Sequence, residues 1–196
     1  MVLSKFISIL CVLVSAIVLC IATALYPGGF DWSKDFISTM LRGPSGPART
    51  LADVGVLVFC VSLAFVFARL ARAPEFSKNS KLIQIAGIGS MVYSAIVVTP
   101  LHDLMVTISL LFFLAAVVPL ILALRANGEI QLFIAGCVCL AILIASAACY
   151  YASLYVGFLP WGQRASCGLF AVWLVSLDYR FPRVPTEGRA DLQPRP

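Results

Sequence analysis

The sequence has few charged side chains and a single histidine. Charged residues make up 12% of its 196 residues, about half of the roughly 25% found in soluble domains, whereas 61% of the residues are hydrophobic and the mean hydropathy is +1.00. A soluble domain of this length has no room to bury so much apolar surface. Lipid permits only helices and closed barrels as spanning elements, and long continuous apolar runs favour helices. The sequence therefore predicts an all-α membrane protein.

Other signals are also missing. The chain has no nucleotide-binding loop, nucleophile elbow, internal repeat or soluble domain, and its basic residues are scattered, so nucleic-acid binding is not predicted. A zinc enzyme usually needs three protein ligands, mostly histidine. With one histidine, such a site would have to combine His102 with Asp53 and Asp103. The seven cysteines lie in or at the edge of apolar runs, which is typical of small hydrophobic side chains. No cofactor is predicted.

Six apolar runs predict six transmembrane helices, since each approaches the roughly 20 residues that a helix needs to cross the hydrocarbon. The predicted spans are about residues 6–25, 51–68, 82–99, 104–124, 130–156 and 162–178. They form one membrane domain, residues 1–178. Residues 179–196, rich in proline and arginine, are predicted to be a disordered cytoplasmic tail.

The lysines and arginines beside the spans predict the orientation. With a cytoplasmic N-terminus, ten of them lie inside and four outside. The inner ten are Lys5, Arg69, Arg72, Lys78, Lys81, Arg125, Arg180, Arg183, Arg189 and Arg195, and the outer four are Lys34, Arg42, Arg49 and Arg164. The chain is thus expected in the cell membrane with both termini cytoplasmic. An alternative stays open, because Lys5, the apolar run and "ATA" at 22–24 also resemble a cleaved signal peptide.

Small residues predict where helices pack. Residues at a spacing of four form a flat stripe that allows two backbones to approach closely. One stripe in the fifth span consists of Cys137, Ala141, Ala145 and Cys149, and one in the third span consists of Ala86, Ser90 and Ser94. The glycines of "AGIGS" at 86–90 are expected to serve the same purpose. Each stripe is predicted to face another helix.

The longest polar interruption follows the first span. In "DWSKDFISTMLRG", residues 31–43, apolar side chains fall on one helical face and polar ones mostly on the other. Asp31 is a plausible N-cap, and "RGPSGP" supplies the stop. The segment is too short and polar to cross the membrane. It is predicted to be an amphipathic helix lying at the outer interface, with Trp32 at headgroup depth.

Several polar residues should emerge on the same outer side, and ionisable residues at membrane depth are functional candidates. The candidate ligand-binding residues are Ser38, Arg42, Asp53, His102, Asp103, Gln163 and Arg164. Arg164 is predicted to pair with Asp53 or Asp103. Structural alternatives stay open: "TLAD" at 50–53 matches a capping box, Asp103 could cap the fourth span, and Arg164 could reach headgroup phosphates.

Three segments carry a resemblance to a known family. They are "YPGGFDWSKDFISTMLRG", "VVTPLHDL" and "GFLPWGQRASCGLFAVWL". In this order they resemble the family called domain of unknown function 998, over about residues 5–178. The chain departs from that family at Met40 and Arg42, and at Gln163, where glutamate is common. The resemblance implies a multi-pass membrane protein and brings no settled activity with it.

Two classes of function remain open from the sequence, besides a non-catalytic assembly subunit. The first is a protein whose outer polar cluster binds a lipid headgroup or a small polar or anionic solute. The second is a membrane-embedded lipid hydrolase, with Ser38 as nucleophile, His102 as base and an aspartate as orienting group. Membrane lipids are the expected partners in both cases. The sequence leaves the oligomeric state open.

Overall fold

The computed structural model describes residues 2–99 and 101–181, and all regular structure in this part of the chain is helical. The α-helices are α1 Val2–Ala24, α2 Ile37–Arg42, α3 Pro47–Leu70, α4 Ser80–Ala95, α5 His102–Ala126, α6 Ile130–Tyr151 and α7 Leu159–Arg180. Three 3₁₀ helices lie between them, at Pro74–Asn79, Ile96–Val98 and Val156–Phe158. The predicted all-α class is confirmed. The predicted tail begins two residues too early, because α7 continues to Arg180; the rest of it, from residue 182 on, lies outside the described residues.

The helix bounds differ from the predicted spans by up to five residues, and α4 ends at Ala95, where the 3₁₀ helix Ile96–Val98 follows. Two of the differences have a clear local cause. α6 ends at Tyr151 and not near residue 156, because Ser153 and Tyr155 take left-handed backbone angles with φ of 54° and 48°. α3 begins at Pro47, four residues before the predicted span, since proline suits the first turn of a helix.

Four helices are long and apolar enough to cross a membrane. They are Phe6–Ala24, Pro47–Leu70, His102–Ala126 and Ile130–Tyr151. α4 has 16 residues, and α7 has 22 residues but carries Gln163, Arg164, Asp178 and Arg180. Length and composition therefore establish four candidate spans within the described residues.

Contacts between helix termini define two ends of the bundle. At one end, which we call the α2 end, Ile37 at the start of α2 meets Gln163 at the start of α7. At the opposite end, Arg69 in the last turn of α3 meets Asp178 in the last turn of α7. Asn127, just after α5, donates a hydrogen bond to the carbonyl oxygen of Glu75 at the same end, 3.3 Å away. Successive long helices thus run in alternating directions.

The main apolar core lies in the half of the bundle nearer the opposite end. Its fully buried side chains come from α3, α4, α5 and α7 and include Phe67, Leu70, Ile83, Leu120, Leu124, Leu174 and Leu177. Glycines in α4 allow the close packing. A Cβ at Gly87 would overlap the Phe67 side chain, and one at Gly89 would lie 2.7 Å from the Phe112 ring. The prediction for the α4 glycines is confirmed.

The predicted stripe of α6 is only partly in contact: Cys137 and Cys149 are half-buried, and Cys137 packs against the core, but its two alanines are not buried. Ala141 and Ala145 are exposed, whereas the buried face of this helix consists of Gly136, Cys139 and Ser146. Small residues occupy both faces of α6, so their spacing alone could not identify the contact face. The contact face is set by Trp173 of α7, since a Cβ at Gly136 would lie 2.6 Å from its ring.

We expect a matched pair of leucine substitutions to separate the two faces of α6. Gly136→Leu should lower the free energy of unfolding by about 1–3 kcal/mol or more, because overpacking forces Trp173 to move. Ala145→Leu should leave stability close to wild type. Thermal unfolding of the detergent-solubilised variants measures both. Equal losses for the two variants would mean that Ala145 also contacts a helix.

Candidate functional site

The loop at the α2 end folds differently from the predicted helix. α2 begins at Ile37, and residues 31–35 form a turn in which Asp31 Oδ1 accepts a hydrogen bond from the Ser33 N–H, 2.9 Å away. The Ser33 hydroxyl also donates to Asp31 and lowers the pKa of that carboxyl group. Asp31 therefore caps a turn and not α2. The Thr39 hydroxyl accepts from the Phe36 N–H at 3.2 Å and marks the helix start.

α2 is held on the bundle by its apolar face. Met40 and Leu41 are buried in a small second cluster with Ala22 of α1 and Ala52 of α3. The helix spans only six residues. This docking presents Ser38 and Arg42 toward the starts of α5 and α7, where the candidate site lies.

Arg164 fastens the 31–36 segment to α7. Its guanidinium donates to the carbonyl oxygens of Trp32 and of Asp35, the latter 3.3 Å away. It also stacks over two indole rings, with centroids 5.2 Å away for Trp32 and 5.0 Å for Trp161. Next to it, Gln163 Oε1 accepts the Ile37 N–H at 3.2 Å. These two residues position the 31–36 segment and the start of α2.

The predicted pairing of Arg164 with Asp53 or Asp103 is wrong. The guanidinium of Arg164 is hydrogen-bonded instead to carbonyl oxygens of the turn before α2, which lies beside the start of α7. Asp53 instead lies 4.0 Å from Arg49 Nε, one turn earlier on α3. The predicted capping box is also wrong, because Thr50 lies inside α3 and its hydroxyl donates to the Gly46 carbonyl oxygen at 3.2 Å.

A cavity of about 210 Å³ opens at the α2 end, between α2, α5, α6 and α7. Four predicted site residues line it, namely Ser38, Arg42, His102 and Gln163. The other three, Asp53, Asp103 and Arg164, do not. The remaining lining residues are Phe36, Val106, Leu110, Leu143, Ser146, Ala147, Tyr150, Tyr151, Leu159, Ser166 and Cys167. The structure thus brings together the polar residues of α2 with the starts of α5 and α7 and the end of α6.

His102 is the central polar group of this wall. The residue is 9% exposed, and its Nδ1 lies 2.8 Å from Asp103 Oδ1. The Tyr150 hydroxyl donates to the same carboxylate oxygen at 2.8 Å. The contact with Asp103 at Nδ1 therefore fixes the orientation of the His102 imidazole ring. His102 Nε2 is buried and has no hydrogen-bond partner among the described residues.

Further unused polar groups surround the same space. Ser166 is 5% exposed, and its hydroxyl has no partner among residues 2–99 and 101–181. The Ser146 hydroxyl, in contrast, donates to the Ile142 carbonyl oxygen at 2.8 Å. Arg42 is exposed at the mouth of the cavity and forms no hydrogen bond or ion pair with any described residue. The site can therefore offer donors to a bound acceptor.

Sequence reasoning missed the tyrosines and Ser166. The Tyr151 hydroxyl lies 2.7 Å from Thr107 Oγ1, so this bond and the one from Tyr150 tie the end of α6 to the start of α5. The pair "YY" at the end of an apolar run is a sequence signal for an interfacial position. Ser166 gives no such signal, because serine is common at helix contacts.

The described part of the chain offers no ligand set for a metal, because no three His, Cys, Asp or Glu side chains within it are grouped closely enough. The only metal site that the sequence allowed, with Asp53, His102 and Asp103 as ligands, is therefore not assembled in the described residues. Asp53 belongs to the Arg49 pair on α3, away from the cavity.

The fold and the cavity define a class of protein: a helical bundle with four helices apolar enough to span a membrane and a partly polar cavity at one end. No family model, curated protein or solved structure matches the chain. The resemblance to the domain of unknown function 998 family stays a prediction.

Proposed function

We propose that the chain is a six-span protein of the cell membrane that binds a lipid headgroup or a small polar solute in the cavity at the α2 end. The two shorter or more polar helices are compatible with crossing. α4 together with Ile96–Val98 is about 30 Å long, which equals the thickness of the hydrocarbon core. In α7 the charged residues stand near the two ends, where arginine side chains reach the interface.

Aromatic side chains support an interfacial position for the α2 end. Trp32, Tyr151, Tyr155 and Trp161 are all exposed there. Tryptophan and tyrosine concentrate at the two membrane–water boundaries. In this proposal α2 and the preceding turn lie at the headgroup level, with the cavity mouth among the headgroups.

Basic residues support the orientation. Among the described side chains, six lysines and arginines lie at the opposite end and four at the α2 end. The six are Arg69, Arg72, Lys78, Lys81, Arg125 and Arg180. Since cytoplasmic loops carry the excess of positive charge, we place the opposite end and both termini in the cytoplasm. The cavity then opens on the outer side.

The binding proposal is carried by His102, which lines the cavity and whose buried Nε2 has no hydrogen-bond partner among the described residues. A buried polar group without a partner costs about 1–3 kcal/mol, so such a group in a native structure calls for an explanation, of which a bound partner is one. Ser166 adds a second unpartnered group to the wall. Arg42 adds a cation. No carboxylate lines the cavity, although Asp103, bonded to His102 and Tyr150, interacts electrostatically with Arg42. The wall thus favours an anionic or acceptor-rich ligand.

We expect Arg42→Gln to weaken binding of phosphate-bearing probes by about tenfold or more, because a hydrogen bond to a charged group contributes about 1.5–3 kcal/mol. The probes are glycerol phosphate and phosphatidylglycerol, and native mass spectrometry counts the bound molecules. Arg49→Gln is the matched control, since it removes the same charge from the same end outside the cavity. Indistinguishable losses for the two variants, or no binding of either probe to wild type, would contradict the proposal.

A lipid hydrolase is the second candidate, because the Asp103–His102 pair leaves Nε2 directed away from Asp103 in a wall that also holds Ser38 and Ser166. In that case Nε2 takes the serine proton as a base, and Asp103 orients the ring. No hydrogen bond joins a serine to His102 in the described part of the structure, although such bonds often tighten only with substrate bound. Release of fatty acid or headgroup from phospholipid, lost in both Ser38→Ala and His102→Gln, would favour this candidate over binding alone.

A further inference from the structure

We infer that the occupant of the cavity is a phospholipid, with its phosphate at Arg42 and one acyl chain lying between α5 and α6. This inference rests on the proposed binding function and names the ligand of the same site. It is carried by the lining of the cavity, which has Arg42, His102, Gln163 and the tyrosines at the mouth and mostly apolar side chains deeper in.

Two rows of side chains form the long walls of the cavity. On α5 the row is His102, Val106 and Leu110, and on α6 it is Tyr150, Ala147 and Leu143. Residues three or four apart lie on one helix face, and the seven to eight residues between the ends of each row rise about 10–12 Å. Each row begins with a polar side chain at the mouth and continues with apolar ones. The cavity therefore extends through most of the roughly 15 Å of one hydrocarbon leaflet.

This gradient selects an amphiphile over a water-soluble anion. A free phosphate compound could satisfy Arg42 and the groups near the mouth, but it would leave to water a space lined by Val106, Leu110 and Leu143. The hydroxyls of Ser146 and Ser166 also line the cavity, and that of Ser146 already donates to the Ile142 carbonyl oxygen. Water is stable in a buried space only where it finds about two to four polar partners. An acyl chain fills that space and buries apolar surface at the same time.

The size and surroundings of the cavity indicate how the chain enters. Its volume of about 210 Å³ is below the roughly 300–1,000 Å³ of sites that enclose a whole ligand, so only part of a lipid is held. Large apolar side chains stand outside the two rows, with Leu111 62% exposed and Ile144 53% exposed. The walls thus continue into a surface suited to lipid, and the rest of the molecule stays in the bilayer.

The mouth is rich in donors, which matches phosphate oxygens. Arg42 forms no hydrogen bond or salt bridge with a described residue, although it interacts electrostatically with Asp103, and arginine recognises phosphate with two parallel hydrogen bonds. Gln163 uses its oxygen for the Ile37 N–H, so its amide N–H groups remain for the cavity. Ser38 adds a hydroxyl.

Three probes test the inference with wild-type protein in native mass spectrometry: phosphatidylglycerol, diacylglycerol and glycerol phosphate. The first has both phosphate and chains, the second only chains, and the third only phosphate. We expect phosphatidylglycerol to bind at least about tenfold more tightly than either of the others, since each fragment lacks one half of the contacts. Glycerol phosphate binding as tightly as the lipid would overturn the inference and leave the proposed function standing. No binding by any probe would remove the proposed function as well.

Two pairs of tryptophan variants locate the chain. Leu110→Trp and Leu143→Trp fill the apolar part of the cavity and should weaken phosphatidylglycerol binding about tenfold, because displacing two methylenes is enough for that factor. Leu111→Trp and Ile144→Trp place the same side chain on the exposed faces next to them and should bind like wild type. Thermal unfolding of each variant confirms that it is folded. Equal binding by all four folded variants would show that the chain lies elsewhere and would overturn the inference.

Discussion

An alanine in place of Asp178 is expected to lower the free energy of unfolding by about 3–5 kcal/mol, the usual effect of removing one partner of a buried ion pair. Asp178 Oδ1 lies 2.8 Å from Arg69 Nε, and Oδ2 lies 2.5 Å from Arg69 Nη2. The two side chains are only 6% and 11% exposed. Arg69 also donates to the Ser8 hydroxyl, so the pair joins α7, α3 and α1 at the opposite end.

A second ion pair at the same end is the control for Asp178→Ala. Arg180 Nη2 and Glu129 Oε1 are 2.8 Å apart, but the side chains are 62% and 26% exposed. Glu129→Ala should therefore cost no more than about 1 kcal/mol. The double variant Arg69→Leu with Asp178→Leu should be more stable than Asp178→Ala, since it removes both charges. Thermal unfolding in detergent measures all three, and equal effects of Asp178→Ala and Glu129→Ala would contradict the buried pair.

The second large effect is expected from Arg164→Ala, which should lower the free energy of unfolding by about 1.5–3 kcal/mol. This change removes the hydrogen bonds to the carbonyl oxygens of Trp32 and Asp35 and the stacking on two indole rings. Limited proteolysis should also cut the 31–36 segment faster. Arg164→Lys should restore little of the loss, because lysine keeps the charge but lacks the planar fork and the stacking.

A double-mutant cycle shows whether Arg164 has a carboxylate partner. Asp53 is 4.0 Å from Arg49, so Arg164→Ala and Asp53→Ala should be additive within about 0.3–0.5 kcal/mol. A larger coupling energy between these two positions would mean that the guanidinium of Arg164 reaches α3 and that its contacts with the 31–36 segment are secondary.

The helical class could be predicted because long apolar runs are typical of helices in lipid. The face of each helix that contacts its neighbours could not be predicted. In α6 both faces carry small residues, and only the position of Trp173 reveals that Gly136 and not Ala145 is in contact. The buried pair of Arg69 and Asp178 was also invisible, since the residues are 109 positions apart and nothing in the sequence relates their helices.

The part of the candidate site that could be predicted is the set of residues that the order of the helices places at one end of the bundle. Ser38, Arg42, His102 and Gln163 line one cavity because the ends of several helices meet there. Asp53 stands at the same end but is directed to Arg49, since orientation around a helix axis depends on packing that the sequence does not state.

Sided labelling of three single-cysteine variants tests the central claim, which is a six-span bundle with the cavity mouth outside. The positions are Ser45 before α3, Lys78 between α3 and α4, and Asn127 after α5. With six spans, a membrane-impermeant maleimide should label Ser45→Cys from outside, and both Lys78→Cys and Asn127→Cys only from inside, which agrees with the contact between Asn127 and Glu75. If α4 does not cross, Lys78→Cys and Asn127→Cys will be labelled from opposite sides, and that result would contradict the account.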